Sequence, residues 1–411
     1  MPSIVQSRKP ALALFAAFLT LFINGGARHA IGLTLKPMVE DMGWLRSDLG
    51  SAVAIFQVFT AFAMFLSGRA IDAFSPRVVL CAGIALCGVS IGAMSLVSQP
   101  WHALVLFGFF YAIGNGVSGV VPVAVMVSRA YPAAAGAASG VGISGMSVGQ
   151  FFMIGLFAFE LPSIGWREVF VWAGVAHLLF LPALMAIMPG GDKAVAKAGP
   201  APTGATMGAA VRTRKFWILT AIYAVCGFDD FFVTTHVVAF ALDSGLDPWV
   251  SGNLLAIMGV TGLIGVLAAG YWGDRSGPVP ATIAAFAART AVFALVYMDQ
   301  SPVSVTIFAL VFGLTFLMTA PLTVLYVRGM FGVAHLGAIA GLVTMVHHIF
   351  GGVGAWLGAA VFDRTGHYDA AFAVACFGSL AAMALTMMLT GDDKMAGRSG
   401  VDSSGGLSRP A

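Results

Sequence analysis

Apolar runs of about twenty residues, separated by short polar breaks, recur along the chain, and a helix of that length crosses a hydrocarbon core of about 30 Å. Twelve such spans can be drawn, near 11–35, 48–71, 77–97, 101–127, 134–158, 166–189, 215–241, 249–272, 279–298, 303–327, 335–361 and 368–390. The ten-residue alternation of a barrel strand is nowhere visible. Backbone polar groups inside lipid must be satisfied internally, which leaves helices. The expected fold class is an all-α membrane protein.

Composition agrees with the pattern. Of 411 residues 59% are hydrophobic and 9% charged, far from the roughly one-quarter charged fraction of a soluble domain. The lipid bilayer is the expected surrounding, with no nucleic-acid partner. Cys81, Cys87, Cys226 and Cys376 all fall inside spans, where a free thiol behaves as a small apolar group. No disulfide or zinc spacing is present, and neither a metal nor a cofactor is expected. Arg8 and Lys9 precede the first span as in a signal peptide, but that run is too long and leads into an acidic loop without a cleavage site, so it reads as retained. With a cytoplasmic N-terminus, about fifteen of the 21 Lys and Arg fall on cytoplasmic segments, the positive-inside pattern. The expected location is the cell inner (cytoplasmic) membrane, multi-pass, with both termini cytoplasmic.

A Pro, Gly and Lys-rich connector, PGGDKAVAKAGPAPTGATMGAAVRTRK, divides six spans from six. The organisation expected is a cytoplasmic N-terminus (1–10), an N-terminal six-helix bundle (11–189), a linker (190–214), a C-terminal bundle (215–390) and a disordered tail (391–411). Aligning Gly68 with Gly270 superposes GRAIDAFSPR on GYWGDRSG, each between the second and third spans of its half. The chain therefore reads as two pseudo-symmetric copies of one bundle. Such repeats characterise secondary transporters, whose substrate sites lie near the midplane between halves.

Gly270, Asp274, Arg275 and Gly277 resemble the G-x-x-x-D-R-x-G signature of the major facilitator superfamily. In the first half Gly68, Asp72 and Arg77 fit, with Ala73 and Ser75 at the usual arginine and glycine. The stretches GGARHAIG (25–32), RAYPAAAGAASGVGISGMSVG (129–149) and VRTRKFW (211–217) are similar to the oxalate/formate antiporter and monocarboxylate porter branch. The resemblance implies the major facilitator fold, with the first, fourth, seventh and tenth spans lining a central cavity. It also implies a latch at the cytoplasmic side formed by Gly68, Asp72, Arg77, Gly270, Asp274, Arg275 and Gly277.

An ionisable side chain inside a bilayer costs roughly 2.5 to 3.5 kcal/mol on insertion scales, so each asks for a function or a partner. Arg28 and Arg289 are the basic residues well inside spans, and Asp229 and Asp230 the acidic ones. Arg28 shares a helix face with Asn24, and its paired donors suit a carboxylate. The other reading of Arg28 is a structural ion pair or snorkelling toward the outer interface. In CGFDDFFVTTH, Asp229 and His236 lie two turns apart on one face. Adjacent carboxylates in low dielectric do not both ionise easily, so one is expected to exchange a proton while the other holds a charge partner such as Arg28. The alternative pairs Asp230 with Arg289 for stability alone. His236 is a proton relay or a packing residue. His347 and His348 point about 100° apart, so at most one faces the cavity.

Tyr111 and Asn115 in the fourth span and Thr315 in the tenth offer groups that orient a substrate, or that join helices. The expected binding set is thus Arg28, Asn24, Tyr111, Asn115, Thr315 and His347, with Asp229, Asp230 and His236 coupling protons. The function expected is a monomeric secondary carrier moving a small organic solute, such as a monocarboxylate anion, by proton-coupled alternating access. An efflux carrier for an aromatic, cationic or metalloid toxicant stands as the alternative, and a non-transporting membrane sensor or assembly protein as the alternative of another class. No Walker loop, nucleophile elbow or zinc-hydrolase motif occurs, so an enzyme is not expected.

Overall fold

The first span is a broken helix, Ile4–Ala27 and Ala30–Met42, followed by Arg46–Ala73 and Pro76–Ala93. The computed structural model describes residues 4–131, 135–188, 204–332 and 334–401, except the side chains of 4–9, 65, 68–73, 124, 125, 128, 129, 135–137, 139 and 390–401. Most of the 190–214 linker, the end of the tail, and the side chains of Gly68 and Asp72 therefore lie outside the described residues. The fourth span is assembled from Pro100–Ala103, the widened turns Leu104–Tyr111, Ala112–Val117 and Val120–Ala130. Ala135–Gly149 continues through the widened turns Gln150–Ile154 into Gly155–Ile187.

That last stretch crosses twice. The apolar run Gly140–Ile187 is 48 residues long, about double what one crossing needs. Gly165, at φ 81°, turns the chain in a conformation open to glycine and strained for other residues. The 11 long apolar helices among the described residues thus make twelve crossings. The second half contributes Arg214–Asp243, Pro248–Ser276, Pro278–Met298, Pro302–Phe316 with Thr319–Phe331, Leu336–Thr365 and Asp369–Val401. Apart from one isolated bridge between Gly204 and Gly332, the regular structure of the described residues is helical.

Local chemistry sets the helix starts. Ser75, Asp247 and Ser301 each cap a helix that begins with proline, accepting a hydrogen bond from a first-turn N–H. Proline there loses only an N–H that would have had no partner. Proline inside a span acts differently. Pro122 has no N–H for the carbonyl four residues earlier, and the fourth span breaks at Ser118 and Gly119. The freed Ser118 carbonyl accepts from Nδ2 of Asn24 at 3.1 Å. In the second half Pro321 follows the break at Leu317 and Met318. There the Thr315 carbonyl accepts from Nη2 of Arg289 at 3.0 Å.

Within the first bundle the first span packs on the fifth and the third on the sixth; within the second, the seventh packs on the eleventh and the ninth on the twelfth. The bundles meet where the second span lies along the eleventh and the fifth along the eighth. Small residues form both seams, with Gly50 against Ala359 and Gly252 against Ala158, so backbones approach closely. This arrangement places the first and seventh spans side by side at the centre.

Candidate functional site

Where the first span breaks, at Arg28 and His29, its wall borders a small internal pocket between the two bundles. Irregular backbone at membrane depth is tolerated where it lines such a space. Arg28 is part of the lining, and its guanidinium makes no hydrogen bond or ion pair among the described residues. The Phe231 ring centroid is 5.4 Å from the guanidinium carbon, and the carboxyl group of Asp230 is close enough to interact with it electrostatically. Val53, Phe56, Phe107 and Phe231 make most of the wall apolar. Gln57, fully buried, adds its carboxamide. A cation facing an apolar chamber without a partner carries an unmet electrostatic demand, which an anion satisfies better there than in water.

One helix face away lies a second charged cluster, sealed from solvent. Nη2 of Arg289 is 2.7 Å from Oδ1 of Asp230, and Nη1 is 3.7 Å from Oδ2 of Asp229. Arg289 also donates from Nε to Oγ1 of Thr315 at 3.2 Å, and stands over the Phe312 ring at 4.9 Å. Ser379 donates to Oδ2 of Asp229 at 2.8 Å, while Oδ1 of Asp229 has no hydrogen-bond partner. On the other side of Asp230, Nε2 of His347 is 3.8 Å away, and Nδ1 of that ring is unpartnered. Two carboxyl groups thus share one guanidinium in a medium of low dielectric. One carboxylate is balanced by Arg289; the other holds a proton or leaves a buried negative charge uncompensated.

Sγ of Cys226, a carboxylate oxygen of Asp230 and a ring nitrogen of His347 lie within 4.8 Å of one another, a grouping with the donor atoms of a metal site. Nη1 of Arg289 reaches the same sulfur at 3.6 Å. Its positive charge disfavours a metal cation in that space.

The two bundles are tied at the end where the first span leads to the second, here the loop end. Nζ of Lys36 is 2.7 Å from Oδ1 of Asp243, and Nη2 of Arg46 is 2.6 Å from Oδ2 of the same carboxylate. Asp363 accepts from the backbone N–H groups of Arg46 and Ser47 at 3.0 and 2.8 Å. Arg46 also donates to the hydroxyl of Tyr368, which lies 3.2 Å from Nδ1 of His236. Deeper in the molecule the bundles are also joined at Gln57 with His348 and at Gln150 with Leu255. At the opposite, linker end Asp274 and Arg275 are exposed, and Arg275 stacks on Tyr271 of its own helix. Arg77 donates to the Met188 carbonyl within its own bundle.

The sequence candidates are scattered among several places. Arg28 faces the cavity. Asp229, Asp230, Thr315 and His347 gather around Arg289, so the partner of the acids is Arg289, while Arg28 stands apart. Asn24 is held in a helix seam, donating to Oγ of Ser118 at 2.9 Å, with its carbonyl 3.3 Å from Nε2 of His177. Tyr111 is buried between Phe56 and Phe107 with its hydroxyl unpartnered, and Asn115 is buried one turn further on. His236 belongs to the clasp. Sequence reasoning missed Gln57, Lys36, Arg46, Asp243, Asp363 and Tyr368. The available signal for Gln57 was an amide interrupting the apolar run AIFQVF.

A family model described as "Major Facilitator Superfamily" matches residues 17–268. "Monocarboxylate transporter 13" of Bos taurus is 26% identical over 365 residues, which is 88% of this chain and 80% of the relative. "Oxalate:formate antiporter" of Oxalobacter formigenes is 24% identical over 293 residues, covering 69% of this chain and 68% of the relative. Among solved structures, the crystal structure of "nucleoside transporter NupG" superposes with a TM-score of 0.72 at 13% identity, covering 93% of this chain and 98% of that one.

Proposed function

We propose that this chain, which belongs to the Major Facilitator Superfamily, moves a small organic anion of the monocarboxylate type together with a proton, by alternating access. The observation that carries this reading is the unpaired guanidinium of Arg28 in an apolar cavity beside two acids that share a single arginine. Two relatives, a monocarboxylate transporter and an oxalate:formate antiporter, support the same class of cargo.

Charge balance supplies the coupling. With one carboxyl protonated, the excess positive charge of Arg28 matches the anion it receives. With both carboxyls ionised, the four groups Arg28, Arg289, Asp229 and Asp230 are neutral without cargo, and an arriving anion leaves one negative charge in excess. Asp230 interacts electrostatically with Arg28, so loading the anion favours loading a proton. Each loaded complex is then electrically balanced, which lowers the cost of carrying it through the closed state. His347, whose Nε2 lies 3.8 Å from Oδ2 of Asp230, is in this reading the side chain that passes a proton to that acid.

Alternation follows from where the bundles are tied. The clasp of Lys36 and Arg46 on Asp243 keeps the loop end shut in this conformation. Opening that end requires breaking the clasp, and in this reading Asp274 and Arg275 at the linker end form a latch of their own in the reverse state. The test is ligand binding to purified full-length protein, using formate, lactate, benzoate and oxalate as probes. A ligand specific to the native state raises the melting temperature. At least one carboxylate is expected to do so in the parent protein and to lose the effect in Arg28→Ala; unchanged affinity in that variant overturns the assignment.

A further inference from the structure

Among the described residues, Gln57 is the one fully buried side chain of the cavity lining with a polar donor left over. It projects from the second span at the seam with the eleventh. Its Oε1 lies 3.1 Å from Nδ1 of His348, which donates to it when that nitrogen carries the proton. Nε2, carrying two N–H donors, has no partner. An amide donor buried without an acceptor costs roughly 1 to 3 kcal/mol, and that cost is removed when an acceptor arrives. Helix packing alone does not call for such a group, since leucine fills a similar volume without the penalty.

We propose that the carboxamide of Gln57 is a ligand-binding residue, donating from Nε2 to one oxygen of the carboxylate whose charge is held by Arg28. The claim rests on the anion reading of Arg28 and adds to it a second donor and a shape for the cargo. Arg28 lies in the first span and Gln57 in the second, so the anion is held from two sides of the first bundle. Its non-polar body then lies against Val53, Phe56, Phe107 and Phe231, three of them rings. One guanidinium and one neutral amide match a single negative charge. A carboxylate on a flat apolar body fits this lining, whereas a second carboxylate has no cation to meet. Through His348 the same amide touches the opposite bundle, so occupancy of the anion site is felt at the seam that must slide during transport.

Benzoate, a flat monocarboxylate, is the probe, and its dissociation constant is measured by calorimetry on the full chain in detergent. Gln57→Leu removes the donor and is expected to weaken benzoate binding about tenfold. Gln57→Glu keeps the size and the acceptor toward His348 but sets a carboxylate against the anion, and is expected to bind more weakly still. A role confined to the hydrogen bond with His348 predicts the opposite order, with Glu close to the parent and Leu impaired; that order overturns the proposal, as does parent-like affinity in both variants. Should Gln57→Leu fail to fold, Gln57→Glu alone decides, because parent-like binding there contradicts a donor role. Benzoate affinity lost in Arg28→Ala but kept in both Gln57 variants removes Gln57 and leaves the Arg28 reading standing. If neither benzoate nor any carboxylate of the panel binds the parent, both readings fall.

Discussion

Nη2 of Arg289 lies 2.7 Å from Oδ1 of Asp230, joining the ninth span to the seventh where neither side chain meets solvent. Removing one member of a buried pair leaves an uncompensated charge and costs about 3 to 5 kcal/mol. Arg289→Gln should therefore lower the melting temperature markedly, and Asp230→Asn added to it should recover much of the loss, because the orphaned charge is gone. A double variant no more stable than Arg289→Gln alone contradicts the pairing as a stability element.

The two acids are predicted to separate transport from coupling. Asp229 is anchored by Ser379 and stands 3.7 Å from Arg289, whereas Asp230 is held by Arg289 at closer range and neighbours His347. Replacing either with Asn removes the second ionisable site of the cluster, so exchange of carboxylate for carboxylate should continue while accumulation against a gradient is lost. Counterflow and gradient-driven uptake in proteoliposomes measure the two separately. Full accumulation in both variants contradicts the role.

At the loop end, Asp243 alone accepts both Lys36 and Arg46 across the bundle boundary. Asp243→Asn removes both ion pairs. Hydrogen bonds to charged groups contribute about 1.5 to 3 kcal/mol, so a tenfold shift or more toward an open loop end is expected. Spin labels at Leu45 and Trp249, both exposed and on opposite bundles, report it as a longer distance. An unchanged distance distribution would show that the clasp does not set the equilibrium.

A methyl group at Gly227 would collide with the His347 carbonyl across the seam of the seventh and eleventh spans. Gly227→Ala must push the eleventh span outward, which in a packed interior costs about 1 to 3 kcal/mol. It also draws His347 away from Asp230. Reduced stability together with slowed proton uptake is expected; normal stability and normal coupling contradict the close packing of this seam.

The spans are legible in the sequence because length and hydropathy are local properties, and the turn at Gly165 within one long apolar helix falls between two of the expected spans. The charged candidates are legible too, since an ion in lipid is conspicuous in any sequence. Which partner each takes is not. Asp230 has two arginines to choose from along the chain, and packing of the seventh span against the ninth selects Arg289, which no spacing along either helix encodes. Asn24 reads as a cavity residue from its place on the face of Arg28. The break that Pro122 imposes on the fourth span supplies a free carbonyl that its amide satisfies instead. Lys36, Arg46 and Asp243 read as ordinary loop-flanking charges, because a clasp differs from a solvated loop only in what lies opposite. Gln57 escapes notice since a neutral amide in a span reads as helix glue.

The central claim is that an anion at Arg28 draws a proton onto the acid pair. The most direct test records external pH with an indicator as lactate is added to proteoliposomes of the parent protein, with protein-free vesicles as the baseline. Alkalinisation beyond that baseline, absent in both Arg28→Ala and the Asp229→Asn, Asp230→Asn double variant, is the predicted result. Lactate entry without any protein-dependent proton movement would contradict the account.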